Sequence, residues 1–397
     1  MGRRTVVVIG GGIAGLAASV RLIQLGMKPI VLEKRPFLGG RAYSFMDRET
    51  GTEIDNGQHV FVGACDQFQQ YIRDIGAWDQ VRLEKRMDLP VLKRGMPGRL
   101  RARKLPGSLA NLSALLGYRH VRLGGKMRIL WGLLSIRLTR LSPQSLHDQV
   151  TFEDWLREHG QSDETIQDFW NLIILPSLND NISVVSAYTG IMLFKVALLG
   201  PARNPAMGVP LVGLSVLAGE NAREYIELHG GEIRTGVDVA SLTTDGGRIT
   251  GVLTANGESI AGEAVISAVP AAAMEPRLPG GPNPDGPGTG TPDDFFTPAV
   301  SIKTAPIVAV HIWYDRPVLR EKYVAVLDSP LQWVFNDTDL KSRDDGGGQH
   351  IVISLSGAWE WKDCSKQELR DIFTAEMERV FPEAQAATIR KFTVVKM

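Results

Sequence analysis

The sequence has few features of a secreted, metal-binding or membrane-spanning protein. Its 397 residues include two cysteines, Cys65 and Cys364, which lie far apart and form no CxxC pair. The seven histidines show no ligand spacing, so we predict no metal site. No apolar run reaches the ~18 residues that span a bilayer. These absences favour a globular protein of a reducing compartment, either cytoplasmic or peripheral at the inner face of the cytoplasmic membrane.

Acidic residues are missing from one long stretch, although the net charge of the whole chain is zero. Between Asp88 and Asp148 there are 12 lysines and arginines, no acidic residue, and many leucines around Trp131. Two interpretations stay open: contact with an anionic membrane surface, and two core helices with solvated basic faces. We predict no nucleic-acid partner, because no recognition motif accompanies the charge.

A dinucleotide-binding pattern occupies the first 33 residues. The β-branched run Thr5–Ile9 is followed by G-x-G-x-x-G spacing at Gly10–Gly15 and then by apolar residues at helical spacing. A second predicted strand, Pro29–Leu32, ends on Glu33, 18 residues after the last glycine. Strand, turn, helix, strand and acid in this order predict a Rossmann-like βαβ unit.

Each part of this motif has a physical role. Gly10 permits the tight turn, Gly12 lets backbone N–H groups approach a pyrophosphate, and Gly15 lets the helix pack on the strand. Ala14 lies within the motif, where the positive end of the helix dipole faces the phosphates. Glu33 can accept hydrogen bonds from a ribose diol. The motif alone does not distinguish NAD from FAD.

A second glycine turn follows the acidic residue closely. Gly39, Gly40 and Arg41 suggest a second backbone approach to the same phosphates, with the guanidinium as a charge-assisted donor. We include the neighbouring Lys34 among the candidate cofactor residues. The alternative is a generic surface turn. The arrangement resembles FAD oxidoreductases of the amine oxidase and phytoene desaturase superfamily, and this resemblance implies FAD as the cofactor.

A second α/β segment resembles the middle section of the same superfamily. A predicted helix at 211–228 is followed by short predicted strands, and Ala264–Pro270 closes the set as a buried strand followed by proline. In the superfamily this section returns the chain to the dinucleotide fold, and a valine equivalent to Val237 lies beside the adenine. An independent meander is the alternative.

The sequence therefore predicts an α/β protein with a Rossmann-like FAD-binding domain and an interleaved α+β substrate domain. The FAD-binding parts are residues 1–65 and 208–275, separated by a mainly helical substrate or membrane-contact region at 66–207. A Pro- and Gly-rich linker at 276–292 precedes a substrate-domain sheet and helix at 293–397. The superfamily's final flavin-contact segment, with its Gly-Asp pair, has no counterpart after the linker. We therefore expect a truncated member with weak FAD retention and poor solubility.

Several stretches narrow the resemblance to one family. Asp55–His59, which reads Asp-Asn-Gly-Gln-His, is the most specific, and Arg41–Phe45, Pro306–Pro317 and Gln332–Asn336 accompany it. Together they resemble the squalene-associated FAD enzymes, which are the hydroxysqualene dehydroxylases of bacterial hopanoid pathways. The resemblance covers nearly the whole chain.

The resemblance implies reduction of hydroxysqualene to squalene, with hydride from reduced flavin and loss of the hydroxyl as water. Because hydroxide leaves poorly, some residue should protonate it, and Asp55 and His59 are the candidate acid and proton relay. Gly57 and Gln58 are candidate flavin contacts. The alternative is that Asp55, Asn56 and Gln58 merely satisfy backbone groups beside the isoalloxazine. A functional association with squalene-synthase-like prenyltransferases is also implied.

The other functions that the sequence leaves open differ in substrate or in class. Carotenoid or phytoene desaturation, or an amine-oxidase-like reaction, would use the same cofactor on another substrate. A non-catalytic truncated remnant, or a partner-dependent subunit, would keep the βαβ fold without turnover. Four aromatic residues are candidates for lining an apolar tunnel, with core packing as the alternative: Trp313, Tyr314, Trp333 and Phe335.

Overall fold

The computed structural model describes residues 3–142, 145–270, 273, 302–343 and 346–397. The segment predicted as a linker, 276–292, lies outside the described residues. Two compact units are each assembled from three separate stretches of chain. The first comprises Met1–Asn56, Gln67–Gln80 and Val212–Thr304, and the second comprises Gly57–Asp66, Val81–Leu211 and Ala305–Met397.

A four-stranded parallel sheet forms the centre of the first unit. Val7, in the strand that begins the chain, lies opposite Ile30 on one side and Val265 on the other. Apolar side chains are buried on both faces of the sheet, as its β-branched runs predict. The strand order is Glu232–Thr235, Lys28–Glu33, Thr5–Ile9, Ala264–Ser267.

The helices and smaller sheets of the first unit follow the predicted pattern with shifted ends. The helix predicted at 211–228 begins at Ser215 with a π-helical stretch, which follows the extended backbone at Met207–Pro210. Gln67–Gln80 belongs to this unit, where the Tyr71 hydroxyl donates to the Ala218 carbonyl at 2.7 Å. The helices are Ile13–Gln24, Asp66–Asp74, Trp78–Gln80 (3₁₀), Ser215–Glu220 (π) and Asn221–Leu228; the antiparallel strands are Ser44–Met46 with Glu53–Asp55, and Val239–Asp245 with Arg248–Thr254 and Ser259–Ala261.

A seven-stranded sheet dominates the second unit. Five of its strands lie within 293–397, where the sequence predicts a substrate-domain sheet. The hairpin Asp88–Arg101 was not predicted, because Pro90 and Pro97 interrupt the apolar pattern. The strand order is Ile389–Lys396, Val308–Tyr314, Gln349–Leu355, Trp333–Asn336, Tyr323–Leu327, Asp88–Lys93, Met96–Arg101.

The two faces of this sheet pack differently. One face, with Val310 and Ile353, is buried with Phe373 of the helix Lys366–Val380. The other face, with Phe335, shares a larger core with the remaining helices. Those helices are Ser108–Gly117, Leu123–Leu138, Phe152–Glu158, Asp163–Thr165, Ile166–Trp170 (π), Asn171–Leu178 and Ala187–Ala197.

The short elements complete the second unit. A small antiparallel sheet contains Phe61–Val62, Met207–Pro210 and Val81–Leu83. Leu146–Asp148 and Phe152–Glu158 are separate helices, because Thr151 caps the second by accepting a hydrogen bond from the Asp154 N–H. None of the described helices has both the length and the apolarity to cross a bilayer. The remaining short helices are Leu146–Asp148 (3₁₀), Asp337–Leu340 and Pro382–Gln385.

Candidate cofactor-binding site

The first glycine turn joins the first strand to the first helix at the carboxyl end of the parallel sheet. Gly10 has φ +104°, and Gly12 is the N-cap of the helix, whose first turn contains no acidic residue. A Cβ on Gly15 would lie 1.9 Å from the Gly10 carbonyl oxygen, which no side chain tolerates. Ala14 is exposed in the first helical turn. The turn is therefore a close packing of helix on strand, with a helix N-terminus suited to an anion.

The second glycine turn packs directly on the first. The Gly39 N–H donates to the Gly11 carbonyl at 2.9 Å, and a Cβ on Gly40 would lie 2.9 Å from the Gly12 Cα. Gly39 and Gly40 both have positive φ, at +103° and +62°. Arg41 is exposed at the end of this turn. The two turns, recognised separately in the sequence, thus form one backbone structure.

Glu33 ends the second strand and is 7% exposed. One carboxylate oxygen accepts the Gly11 N–H at 2.7 Å and the other accepts the Arg35 N–H at 2.8 Å. Each oxygen keeps a second lone pair, so the predicted bond to a ribose stays a prediction beside this structural role. The Val237 N–H donates to the Glu33 carbonyl at 3.0 Å, and Lys34 is exposed next to it.

The side chains of Asp55 and Asn56 form hydrogen bonds with backbone groups of the first unit. Asp55, 4% exposed, accepts hydrogen bonds at Oδ1 from the Ser44 hydroxyl at 2.7 Å and the Leu214 N–H at 3.1 Å. The Asn56 side-chain amide donates to the Arg41 carbonyl at 2.6 Å. These bonds fit the structural alternative that the sequence left open for both residues.

Gly57, Gln58 and His59 belong to the second unit. A Cβ on Gly57 would lie 3.2 Å from the Met397 side chain and 4.0 Å from the Ala309 Cβ, so the backbone runs close to the large sheet. The His59 Nδ1 lies 2.7 Å from the Gly57 carbonyl oxygen. Because a carbonyl only accepts, Nδ1 carries a proton, and the neutral ring has its lone pair on Nε2. His59 and Gln58 are half-buried.

The aromatic candidates for a tunnel divide between two environments. Tyr314 is buried in the core beneath the helix Lys366–Val380, which fits core packing. Trp333 lines a cavity of about 300 Å³ together with Gln332, a residue of the family-like stretch Gln332–Asn336. Asp168, on the π-helical stretch, also lines this cavity. Burial raises the pKa of Asp168 more than its ion pair with Lys93, at 2.5 Å, lowers it.

The sequence did not predict a buried ionic cluster in the second unit. The Asp337 carboxylate accepts hydrogen bonds from the His350 Nδ1 at 3.1 Å and the Arg343 guanidinium at 2.9 Å, and lies 3.2 Å from the Lys341 ammonium. The His350 Nε2 lies 3.1 Å from the His311 Nδ1. Burial raises the pKa of Asp337, but the His350 bond and the two cations outweigh burial and hold it well below its usual range. No local pattern marks the cluster, because strand pairing assembles it.

Asp337→Asn is expected to lower the free energy of unfolding by about 3 kcal/mol, because it removes the negative charge that faces the Lys341 ammonium and the Arg343 guanidinium. Since the native pKa lies below the unfolded value of about 3.9, this stabilisation is present above that pH and is lost as the pH falls. Urea unfolding from neutral to acidic pH should therefore show a steeper loss of stability in the wild type than in the variant.

Asp363→Asn is the matched control, because Asp363 is 85% exposed in its ion pair with Lys362. Surface pairs of this kind contribute little to stability. An Asp337→Asn protein as stable as the wild type at neutral pH would contradict the assignment of the cluster.

The parallel sheet, the paired glycine turns and the acidic strand end define a dinucleotide-binding oxidoreductase fold. The chain belongs to the flavin containing amine oxidoreductase family, whose sequence profile matches residues 13–396. The α/β fold with a Rossmann-like FAD-binding domain is thereby confirmed, and the cofactor is FAD.

Known proteins resemble the chain over almost its whole length. It is 23% identical over 416 residues to 15-cis-phytoene desaturase of Capsicum annuum, covering 98% of this chain and 67% of that protein. It is 24% identical over 410 residues to 15-cis-phytoene desaturase of Synechococcus elongatus, covering 98% and 84%. An oxidoreductase from Methanosarcina mazei has a similar fold, with a TM-score of 0.73 at 17% identity, covering 98% and 87%.

Proposed function

We propose that this FAD-dependent oxidoreductase reduces hydroxysqualene to squalene. The observation that carries the proposal is the run Asp55–His59, the part of the sequence that most specifically resembles hydroxysqualene dehydroxylases. The similarity to two 15-cis-phytoene desaturases supports a long isoprenoid substrate. A squalene-synthase-like prenyltransferase would supply the substrate, which is the functional association that we propose.

The described residues fit FAD. Two glycine turns in contact bring backbone to the N-terminus of a helix whose first turn contains no acidic residue, and this is an environment that suits a pyrophosphate. When bound in its reduced form, FAD supplies hydride. The residues that we propose to hold it are Gly10, Gly12, Ala14, Gly15, Gly39, Gly40 and Arg41 with Lys34 at the pyrophosphate, Glu33 at the ribose, Val237 at the adenine, and Gly57 with Gln58 at the isoalloxazine.

His59 is the proposed proton donor to the leaving oxygen. In the reaction a C–H bond forms at the allylic carbon, the C–O bond breaks, and the oxygen takes up one proton and departs as water. Because the Gly57 carbonyl holds Nδ1, a protonated His59 ring would offer its Nε2–H for this transfer. Asp55 already accepts two hydrogen bonds at Oδ1, so a positioning role for it is better supported than proton transfer.

The test supplies hydroxysqualene to the full chain with FAD kept reduced by dithionite, and measures squalene by gas chromatography with mass spectrometry. We expect squalene in proportion to the enzyme added, and none when the FAD stays oxidised. Reduced holoprotein that binds FAD but forms no squalene would contradict the proposal.

Desaturation of a carotenoid precursor is the second candidate, and the similarity to two phytoene desaturases favours it. This reaction runs in the opposite redox direction, since the substrate loses hydrogen and no oxygen needs a proton. Incubation of the oxidised holoprotein with phytoene tests it. Growth of polyene absorbance at longer wavelength, without squalene in the parallel assay, would establish this candidate instead.

A further inference from the structure

One helix of the second unit has apolar residues on two opposite sides. Successive residues of an α-helix are about 100° apart, which places two groups of side chains of Leu123–Leu138 on opposite arcs. The buried group includes Ile129, Leu133 and Ile136. The exposed group forms a continuous stripe in an arc of about 80°. Its members and their exposed fractions are Leu123 75%, Met127 59%, Trp131 59%, Leu134 44% and Leu138 71%.

Basic residues flank this stripe, which we call the Trp131 face. Lys126 and Arg137 lie on one side of it and Arg128 on the other, and Arg122 caps the helix start. Lys126 donates to the Leu116 carbonyl and Arg128 to the Gly160 carbonyl, and these partners add no negative charge. No acidic residue occurs in the sequence between Asp88 and Asp148. The helix Leu123–Leu138 therefore presents an apolar stripe whose charged neighbours on the helix itself are all basic.

We propose that the Trp131 face docks on an anionic membrane surface, with its apolar stripe in the headgroup region. A tryptophan within an apolar stripe between lysines and arginines is the composition of helices that lie in the membrane plane. Anionic lipids attract clustered cations within a Debye length. The inference goes beyond the proposed reaction and does not depend on it, because the face alone carries it.

A flotation assay with the full chain tests the proposal on vesicles of phosphatidylcholine, with and without phosphatidylglycerol. We expect wild-type protein to float with the anionic vesicles at low salt and to be released by high salt. Trp131→Asp should weaken this binding at least tenfold, because it places a charge in the stripe. Leu228→Asp is the matched control, since Leu228 is an 83% exposed leucine of the first unit.

The charge contribution is tested separately. Arg122→Glu with Arg137→Glu should weaken binding to anionic vesicles by a factor of at least about 30, since each basic residue near the surface contributes on the order of 1 kcal/mol. Arg248→Glu with Arg320→Glu makes the same change of charge at exposed positions elsewhere and should leave binding unchanged.

The following outcomes would overturn the proposal: wild-type protein that stays unbound at low salt, equal binding by Trp131→Asp, or equal losses in the control variants. A dimer that Trp131→Asp converts to a monomer, without loss of vesicle binding, would show that a second copy covers the face. Because the assay contains no substrate, its failure is distinguishable from failure of the proposed reaction.

Discussion

Gly15→Ala should weaken FAD binding about a thousandfold. The added Cβ would lie 1.9 Å from the Gly10 carbonyl oxygen, so the helix and the turn have to separate. Separation moves the backbone N–H groups of the turn, and two lost hydrogen bonds to a charged group cost about 1.5–3 kcal/mol each. Titration of the apoprotein with FAD, followed by flavin fluorescence, measures the effect.

Gly117→Ala is the control for this substitution. Gly117 ends the helix Ser108–Gly117, has no positive φ, and a Cβ there would meet no atom within 4 Å. It should bind FAD like the wild type. Circular dichroism of the Gly15→Ala protein separates a displaced turn from a chain that does not fold. A folded Gly15→Ala protein with wild-type FAD affinity would refute the assignment of the turn.

His59→Ala should slow squalene formation about 10²- to 10⁴-fold, which is the usual contribution of a positioned proton donor. FAD affinity should change little, because the proposed role concerns the leaving oxygen. Single-turnover formation of squalene from prereduced holoprotein measures the step without interference from flavin reduction. If the activity that remains in the variant is highest at a lower pH than in the wild type, solvent protons replace the proton of the side chain.

His229→Ala provides the matched histidine control. The His229 Nδ1 also lies 2.7 Å from a backbone carbonyl, that of Tyr225, but the residue is exposed in the first unit. Asp55→Asn should mainly lower thermal stability and reduce turnover less than His59→Ala does, because Asp55 positions backbone. Undiminished rates in both the His59 and Asp55 variants, with FAD bound, would exclude the proposed proton transfer.

Local sequence predicted those parts of the fold in which neighbouring residues act together. The first strand, the glycine turn and the helix Ile13–Gln24 follow from β-branched residues, glycines and helical spacing within one short stretch. The second glycine turn could also be recognised, because two consecutive glycines are typical of a turn with positive φ, and Gly39 and Gly40 both have it. Its direct contact with the first turn was not predicted, because the Gly39 N–H and the Gly11 carbonyl that meet there are far apart in the sequence.

Features that depend on distant residues were beyond prediction. Asp337, His350 and His311 form one cluster because strands meet, and no spacing in the sequence distinguishes them from surface residues. Glu33 was predicted from its position at a strand end, but its bonds to the Gly11 and Arg35 N–H groups depend on the folded course of the backbone. The hairpin Asp88–Arg101 was missed because Pro90 and Pro97 interrupt the apolar pattern, although Pro97 is tolerated on the edge strand of the large sheet.

The edge strand Met96–Arg101 also affects how the protein behaves at high concentration. An unpaired strand edge is a template on which further chains can add and aggregate. Pro97 offers no N–H to an incoming strand, and Arg99 is engaged by Asp88 and Glu321 at its side. With Arg101 also charged and exposed, this edge discourages intermolecular strand addition. Pro97, Arg99 and Arg101 made this strand hard to predict from the sequence. The same residues help to keep the folded chain from forming cross-β assemblies.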